Sequence, residues 1–451
     1  MLFETETLKL LTDALANLEE GFAFLPDYEA PAAGQTPMAS VIAEVASRLR
    51  NNYPYFHPLY AGQMLKPPHP VARAAYALAT WINPNNHALD GGRASSAMEK
   101  EAVAEIAAMF GWRDHLGHLC GGGTMANLEA LWVAGQLHRE KTIVASEQAH
   151  YTHHRITSVL RLPFAEVPSD NQGRMDCGVL EKMLEAGNVG CVVATVGTTG
   201  TGALDSLPRI LALRERYGFR LHVDAAYGGY YTLAANLGRE ARAVYNLMGQ
   251  AESIVIDPHK HGLQPYGCGC VLFRDPSVGS LYKHESPYTY FTSSDLHLGE
   301  ISLECSRPGA SAVALWATQR LLPLVRGGEF AAMLESSRQA ALALYQRLGS
   351  DPRWRVPFAP ELDIVVWAPR AGSARGTSEL SQRIFDAAAR RNLHLALIRL
   401  PVRFFASAEP GMSADQDTVL CLRSVLMKPE HLAWVERIAA ILSQCAEEVL
   451  A

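Results

Sequence analysis

Leu221-His222-Val223-Asp224-Ala225-Ala226-Tyr227 and Ser253-Ile254-Val255-Ile256-Asp257-Pro258-His259-Lys260 are the two stretches that decide the fold. Each is a short apolar run ending in charged or polar residues, the pattern of a buried strand that delivers side chains at its carboxyl end. Further strand signals lie at 142–145, 191–196 and 270–273, and helix signals at 94–110, 124–139, 206–216 and 310–322. This alternation predicts an α/β fold, with a mostly parallel sheet between helices in a large domain over residues 86–325. From Gly327 one long helix, strands around 363–367 and 418–422, and helices between and after them read as a small C-terminal α+β domain, residues 326–451. Residues 1–85 read as an N-terminal helical arm. Leu8, Leu11, Leu15, Leu18 and Phe22 step by three and four, prolines at 26, 31 and 37 break the chain, and a second helix is expected over 38–50.

At 451 residues the chain exceeds the usual size of one core, and 48% hydrophobic with 19% charged residues describes a folded globular protein. A net charge of −6 gives no electrostatic reason to bind nucleic acid or an anionic membrane. No apolar run is long enough to span a bilayer. The first residues are acidic where a secretory signal would be basic, and eight cysteines lack any framework spacing. Cys268 and Cys270 form the one close pair, with nothing nearby to complete a zinc site. These features point to the cytoplasm.

Asp224 and Lys260, set at strand ends, suit pyridoxal phosphate chemistry. A lysine amine can hold that cofactor as a Schiff base, while a carboxylate keeps the pyridine nitrogen protonated so that the ring accepts electrons. A structural ion pair would explain the two residues but not their company. Gly121-Gly122-Gly123-Thr124 precedes a helix, whose free N–H groups and positive dipole end favour a phosphate. It lacks the GxGxxG order of a dinucleotide site, and Gly197-Thr198-Thr199-Gly200-Thr201-Gly202 does not supply it.

In Gly121-Gly122-Gly123-Thr124-Met125-Ala126-Asn127, Ser146-Glu147-Gln148-Ala149-His150-Tyr151, Ala194-Thr195-Val196-Gly197-Thr198-Thr199, the Asp224 strand, Asp257-Pro258-His259-Lys260 and Ser306-Arg307-Pro308-Gly309-Ala310, the chain resembles the group II pyridoxal-phosphate decarboxylases. That family includes aromatic-amino-acid, glutamate, histidine and tyrosine decarboxylases. The segments occur in family order and at family-like spacing, and the resemblance runs from about Tyr53 to about Pro429.

The resemblance implies fold type I and a homodimer with active sites at the subunit interface. It implies that Lys260 carries the cofactor, that Asp224 pairs with the pyridine nitrogen, and that Ala226 lies against the ring. Strand residues i and i+2 share a face, so the last pairing is geometrically reasonable. Gly123 and Thr124 would hold the phosphate, His150 would stack on the ring and place the substrate carboxylate, and Thr199, Asp257 and His259 would border the cofactor. By itself His150, near His153 and His154, reads equally as a metal ligand or a solvated helix face, though no carboxylate or cysteine joins them at ligand spacing. Tyr290, in Ser286-Pro287-Tyr288-Thr289-Tyr290-Phe291, matches the loop tyrosine that returns a proton to the substrate carbon. Tyr288 competes for that assignment, and both could be packing aromatics. Arg307 reads as an interface or phosphate-site residue, or as half of a structural salt bridge.

The reaction these features imply is α-decarboxylation of an L-amino acid to an amine and carbon dioxide. An aldehyde synthase of the same family or an aminotransferase would use the cofactor differently, and Tyr290 argues against the synthase, whose loop aromatic is typically phenylalanine. A non-catalytic descendant would not need Lys260, Asp224 and His150 together. For the substrate, Gln63, Lys66, Asn85 and His87 fall in the segments that form family pockets. Their polarity favours a polar or acidic amino acid over an aromatic one such as tyrosine, dihydroxyphenylalanine or tryptophan.

Overall fold

The computed structural model describes residues 5–26, 35–283, 296–406 and 411–450. Helices α1 (Glu6–Glu20), α2 (Gln35–Leu49), α3 (Pro70–Thr80) and α4 (Leu89–Met109) come first. There follow β1 (Leu116–Cys120), α5 (Gly123–Leu137), β2 (Thr142–Ser146), α6 (Thr152–Leu160), β3 (Phe164–Val167), α7 (Cys177–Glu185), β4 (Val189–Thr195), α8 (Leu207–Tyr217), β5 (Arg220–Asp224), α9 (Arg239–Leu247), β6 (Ser253–Ile256) and β7 (Gly269–Phe273). After α10 (Gly309–Leu321) and α11 (Glu329–Gly349) come β8 (Trp354–Arg355), β9 (Ile364–Pro369), α12 (Ala374–Arg390), β10 (Ala396–Pro401), the short α13 (Arg403–Ala406), β11 (Thr418–Val425) and α14 (His431–Leu450).

The first sheet has the order β1-β7-β6-β5-β4-β2-β3. Strands β2 to β6 pair in parallel, and β7 alone runs against both its neighbours. This is the expected α/β architecture. Helices cover both faces, so β5, β6 and β7 are buried at every position and read as continuous apolar runs instead of alternating. Asp224 and Asp257 stand at or just past the carboxyl ends of the adjacent strands β5 and β6, where open α/β sheets place their sites.

Helix α5 begins at the expected place because Gly122, at φ 143°, adopts a backbone favoured by glycine and frees the next N–H groups. Helix α4 starts earlier than its sequence signal, at Leu89, and breaks at Gly92, where a Cβ would meet Ser95 Oγ at 2.6 Å.

The second sheet, β10-β11-β9-β8, is antiparallel throughout. Leu344, Leu442, Ile384 and Trp367 are buried together in its core. Leu59 and Ala61 pack into the same core. Ala61 N donates to His394 O at 2.9 Å, and Ala61 O accepts from Val425 N at 2.8 Å. The N-terminal segment therefore joins the C-terminal lobe here, while α3 lies against α10 of the large lobe.

Leu344, fully buried on α11, tests the small-lobe core. Leu344→Ala is expected to destabilise that lobe by about 2–5 kcal/mol, read from urea denaturation of wild type and variant.

Candidate active site

One cavity of about 490 Å³ collects residues from the glycine loop, the α6 entrance, the loop after β4 and the ends of β5 and β6. Its floor is the Gly121–Gly123 loop. A Cβ on Gly123 would stand 2.6 Å from Asp257 Oδ2, and one on Gly269 would stand 2.5 Å from the Gly122 carbonyl carbon. Only glycine permits this approach. Helix α5 has no side-chain cap and no acidic residue in its first turn, so its first N–H groups are left without a capping side chain at the cavity. Asn127, one turn along, donates to Gly123 O at 2.8 Å and lies 2.8 Å from His222 Nε2. His222 in turn lies 2.9 Å from Ser253 Oγ, which ties the loop to the sheet. Glu304 Oε2 accepts from Gly121 N at 3.1 Å at the cavity rim.

Asp224 is 5% exposed. Burial pushes its carboxyl up, but the hydrogen bond from His153 Nε2 at 2.9 Å, the charge of that ring and Lys260 outweigh it, holding the group well below the usual carboxylate range. Its second oxygen accepts from Ala226 N at 3.1 Å. His153 carries no role in the sequence reading beyond its nearness to His150. In the fold it is buried, three residues beyond His150, and it is the partner of Asp224. His154 instead faces solvent. The one available signal was the i, i+3 spacing of His150 and His153, which turns both rings towards the same side of a helix start.

Lys260 Nζ lies 3.1 Å from Asp257 Oδ2, and the other Asp257 oxygen is buried with no hydrogen-bond partner. His259 accepts from Cys268 N through Nδ1 at 3.3 Å, and its ring lies 4.8 Å from that of Tyr266. His150 Nδ1 lies 2.8 Å from Thr152 Oγ1 and 3.3 Å from Thr152 N, contacts that fix the ring's orientation. Burial keeps this imidazole below its ordinary pKa, hence neutral at pH 7.

Lys260, His150, Asp224, Gly123, Thr124, Thr199, Ala226, Asp257 and His259 thus all line one cavity. Tyr288 and Tyr290 lie outside the described residues. Gln63, Lys66, Asn85 and His87 are not on the cavity wall. Gln63 Oε1 accepts from Arg423 Nη1 at 3.3 Å, and Lys66 Nζ donates to Met427 O at 3.3 Å, its pKa lowered to about 8 by burial. Asn85 accepts from the backbone of His87 and of Arg307, and His87 Nε2 lies 3.9 Å from Cys305 Sγ. Arg307 makes a buried salt bridge to Glu99 at 2.7 Å and donates to Leu119 O, which favours its structural reading.

The donor set fits pyridoxal phosphate. The glycine cradle and helix start suit a dianion, an ionised buried carboxylate suits a protonated ring nitrogen, and Lys260 places an amine in the same cavity.

Comparison with known proteins agrees. The model of the pyridoxal-dependent decarboxylase conserved domain matches residues 124–369, more than half of the chain. L-tyrosine decarboxylase of Enterococcus faecium is 28% identical over 482 residues, covering 82% of this chain and 78% of that protein. L-aspartate decarboxylase of Thermococcus kodakarensis is 30% identical over 282 residues, covering 61% and 71%. The crystal structure of Oryza sativa TDC with PLP and tryptamine superposes with a TM-score of 0.77 at 17% identity, covering 98% of this chain and 99% of that one, and shares the fold. The chain belongs to the pyridoxal-dependent decarboxylase family. It is a pyridoxal-phosphate-dependent carboxy-lyase acting on an amino acid.

Removing the His153 donor tests the Asp224 pair. With His153→Leu, burial of Asp224 is opposed mainly by Lys260, so its carboxyl pKa rises. Pyridoxal phosphate affinity should fall roughly tenfold to a hundredfold. The acid-side loss of binding should also begin at a higher pH than in wild type, followed by absorbance titration.

Proposed function

We propose that Lys260, Asp224, His150 and Tyr290 carry an L-amino acid α-decarboxylation, on the strength of one observation: the first three converge on a single glycine-floored cavity. When bound, the cofactor supplies an electron-accepting ring that takes up the bond pair left by departing carbon dioxide. Lys260 is the amine that anchors it and yields to the substrate amine. Asp224, charged at all working pH, keeps the ring nitrogen protonated. His150, on the cavity wall, would cover the ring and orient the substrate carboxylate. Tyr290 returns a proton to the substrate carbon.

For the substrate we favour a polar or acidic side chain. Arg423 supports this: it is buried, its Nε and Nη2 have no hydrogen-bond partner, it donates to Gln63, and its charge acts on Tyr227, a residue of the cavity wall whose hydroxyl burial pushes up. An apolar side chain would leave such donors unpaired. The E. faecium relative is named for tyrosine and the T. kodakarensis relative for aspartate, so tyrosine is the second reading.

We also propose a homodimer. Met38, Val41, Ile42, Val45 and Leu49 form one exposed apolar face of α2, and an apolar hollow of about 460 Å³ is lined by Leu18, Leu78, Ile82, Met98 and Val313. A second copy would cover such faces. A cytoplasmic setting is supported by eight free cysteines, seven of them buried. Among the described residues no helix is long and apolar enough to cross a membrane.

Lys260→Ala should retain pyridoxal phosphate weakly and lose turnover; turnover at the wild-type rate would remove the anchor assignment. Tyr290→Phe should release carbon dioxide but divert product towards aldehyde and ammonia under oxygen. An unchanged amine yield would pass the proton to Tyr288 or another donor. A carbon dioxide release screen over the amino acids, dihydroxyphenylalanine and 5-hydroxytryptophan should favour aspartate, glutamate or tyrosine, and a preference for phenylalanine or tryptophan would refute the polar reading. Sedimentation at assay concentration should give a dimer.

A further inference from the structure

Glu361-Leu362-Asp363, the stretch that leads into β9, touches three site-bearing segments of the large lobe at once. Glu361 Oε2 accepts from Leu204 N at 2.7 Å, at the end of the loop that carries Thr199. Leu362 is fully buried, and its Cδ1 would stand 3.2 Å from a Cβ on Gly197, whose φ of 98° already favours glycine. Asp363 Oδ1 accepts from the Tyr227 hydroxyl at 2.5 Å. Its Oδ2 lies 3.3 Å from His261 Nε2, off the hydrogen-bond direction. Tyr227 follows Ala226 and lines the cavity, and His261 follows Lys260. The two rings lie 4.7 Å apart, and Asp363, Tyr227 and His261 are all buried.

A fully buried carboxylate with a neutral donor is a costly way to fill space. Burial pushes Asp363 up to about 6, against the Tyr227 and Tyr231 hydroxyls and Lys66, and His261 is kept neutral by its own burial. An aliphatic side chain would pack more cheaply. What the carboxylate adds is a fixed position for two groups, each one residue from a cofactor-facing one. Tyr227 cannot withdraw from the cavity without leaving Asp363 unpaired, and His261 is wedged between that carboxylate and two tyrosine rings.

We propose that Asp363 is a positioning residue through which the small lobe sets the site: it holds Tyr227 as the cavity wall beyond Ala226 and backs the turn that presents Lys260. The proposal rests on the cavity being the cofactor site and on no choice of substrate.

Wild type, Asp363→Ala, Asp363→Asn, Tyr227→Phe and the Asp363→Ala/Tyr227→Phe double variant, each loaded with pyridoxal phosphate, are compared in two ways. One is visible circular dichroism per bound cofactor, the other the rate of cofactor release on dilution. Asp363→Ala should lose most of the dichroism and release cofactor about tenfold faster. Asp363→Asn, which keeps an oxygen for the Tyr227 hydroxyl, should restore most of both. In the Tyr227→Phe background the further effect of Asp363→Ala should be much smaller. The proposal is overturned if Asp363→Ala matches wild type in both measurements, or if its effect is the same in both backgrounds and not restored by asparagine. Should the alanine variant fail to fold, Tyr227→Phe with wild-type dichroism and release overturns it as well. If wild type itself shows no induced dichroism, the cavity reading fails and this proposal falls with it.

Discussion

The structure turns on one buried interaction, the contact between Asp224 and His153. A carboxylate removed from water at the end of a central strand needs compensation before it can stay ionised. Strand β5 lies between β4 and β6 with helices on both faces of the sheet, and Asp224 is left almost wholly out of solvent. Helix α6 must therefore be set so that His153 points inward and His150, at its entrance, overlooks the same space. The placement of α6 sets the connection from β2, whose His150 and the following Thr152 border the cavity.

Strands β4, β5 and β6 were legible because parallel strands buried on both faces leave unbroken apolar runs, and their boundaries agree with the sequence signals to within two residues. Strands β1 and β3 gave no such signal. Leu116-Gly117-His118-Leu119-Cys120 contains a glycine pressed against Val271 and Leu272 and a histidine whose burial depends on Glu129, 2.9 Å away on α5. Phe164–Val167 is an edge strand and only partly buried. In both cases a tertiary partner overrides local propensity.

The cavity residues carried by motifs were legible for a different reason: glycines, a lysine and a carboxylate at strand ends have few other uses in that arrangement. Residues that act through distant partners were not. His153 meets Asp224 across 71 positions, and Asp363 meets Tyr227 across 136. Residues 59–61 likewise read as part of an arm, because nothing local reveals that Ala61 bonds to His394 and Val425.

The buried carboxylates show why Asp224 suits its place. Asp205 accepts from the backbone of Met175 and Thr195, the half-buried Glu361 from Leu204, and Asp363 from Tyr227. Burial prevails over these neutral donors, and over the pull of Arg174 or Lys66, and raises the three to about 6, about 7 and about 6. Asp224 is buried almost as deeply, yet it shifts the other way, because the His153 hydrogen bond and the electrostatic pull of His153 and Lys260 outweigh burial. The three raised groups favour the fold below the unfolded carboxyl range and lose that contribution as pH climbs through their folded values; Asp224 contributes above that range and loses it only on strong acidification. Near neutrality the first three fix backbone and hydroxyl positions around the loop after β4 and the ends of β5 and β6. Of these four, Asp224 is the one that stays charged from mildly acidic pH upward. A ring nitrogen that must stay protonated throughout a catalytic cycle needs that kind of partner, and a carboxylate with neutral donors would titrate within the working range.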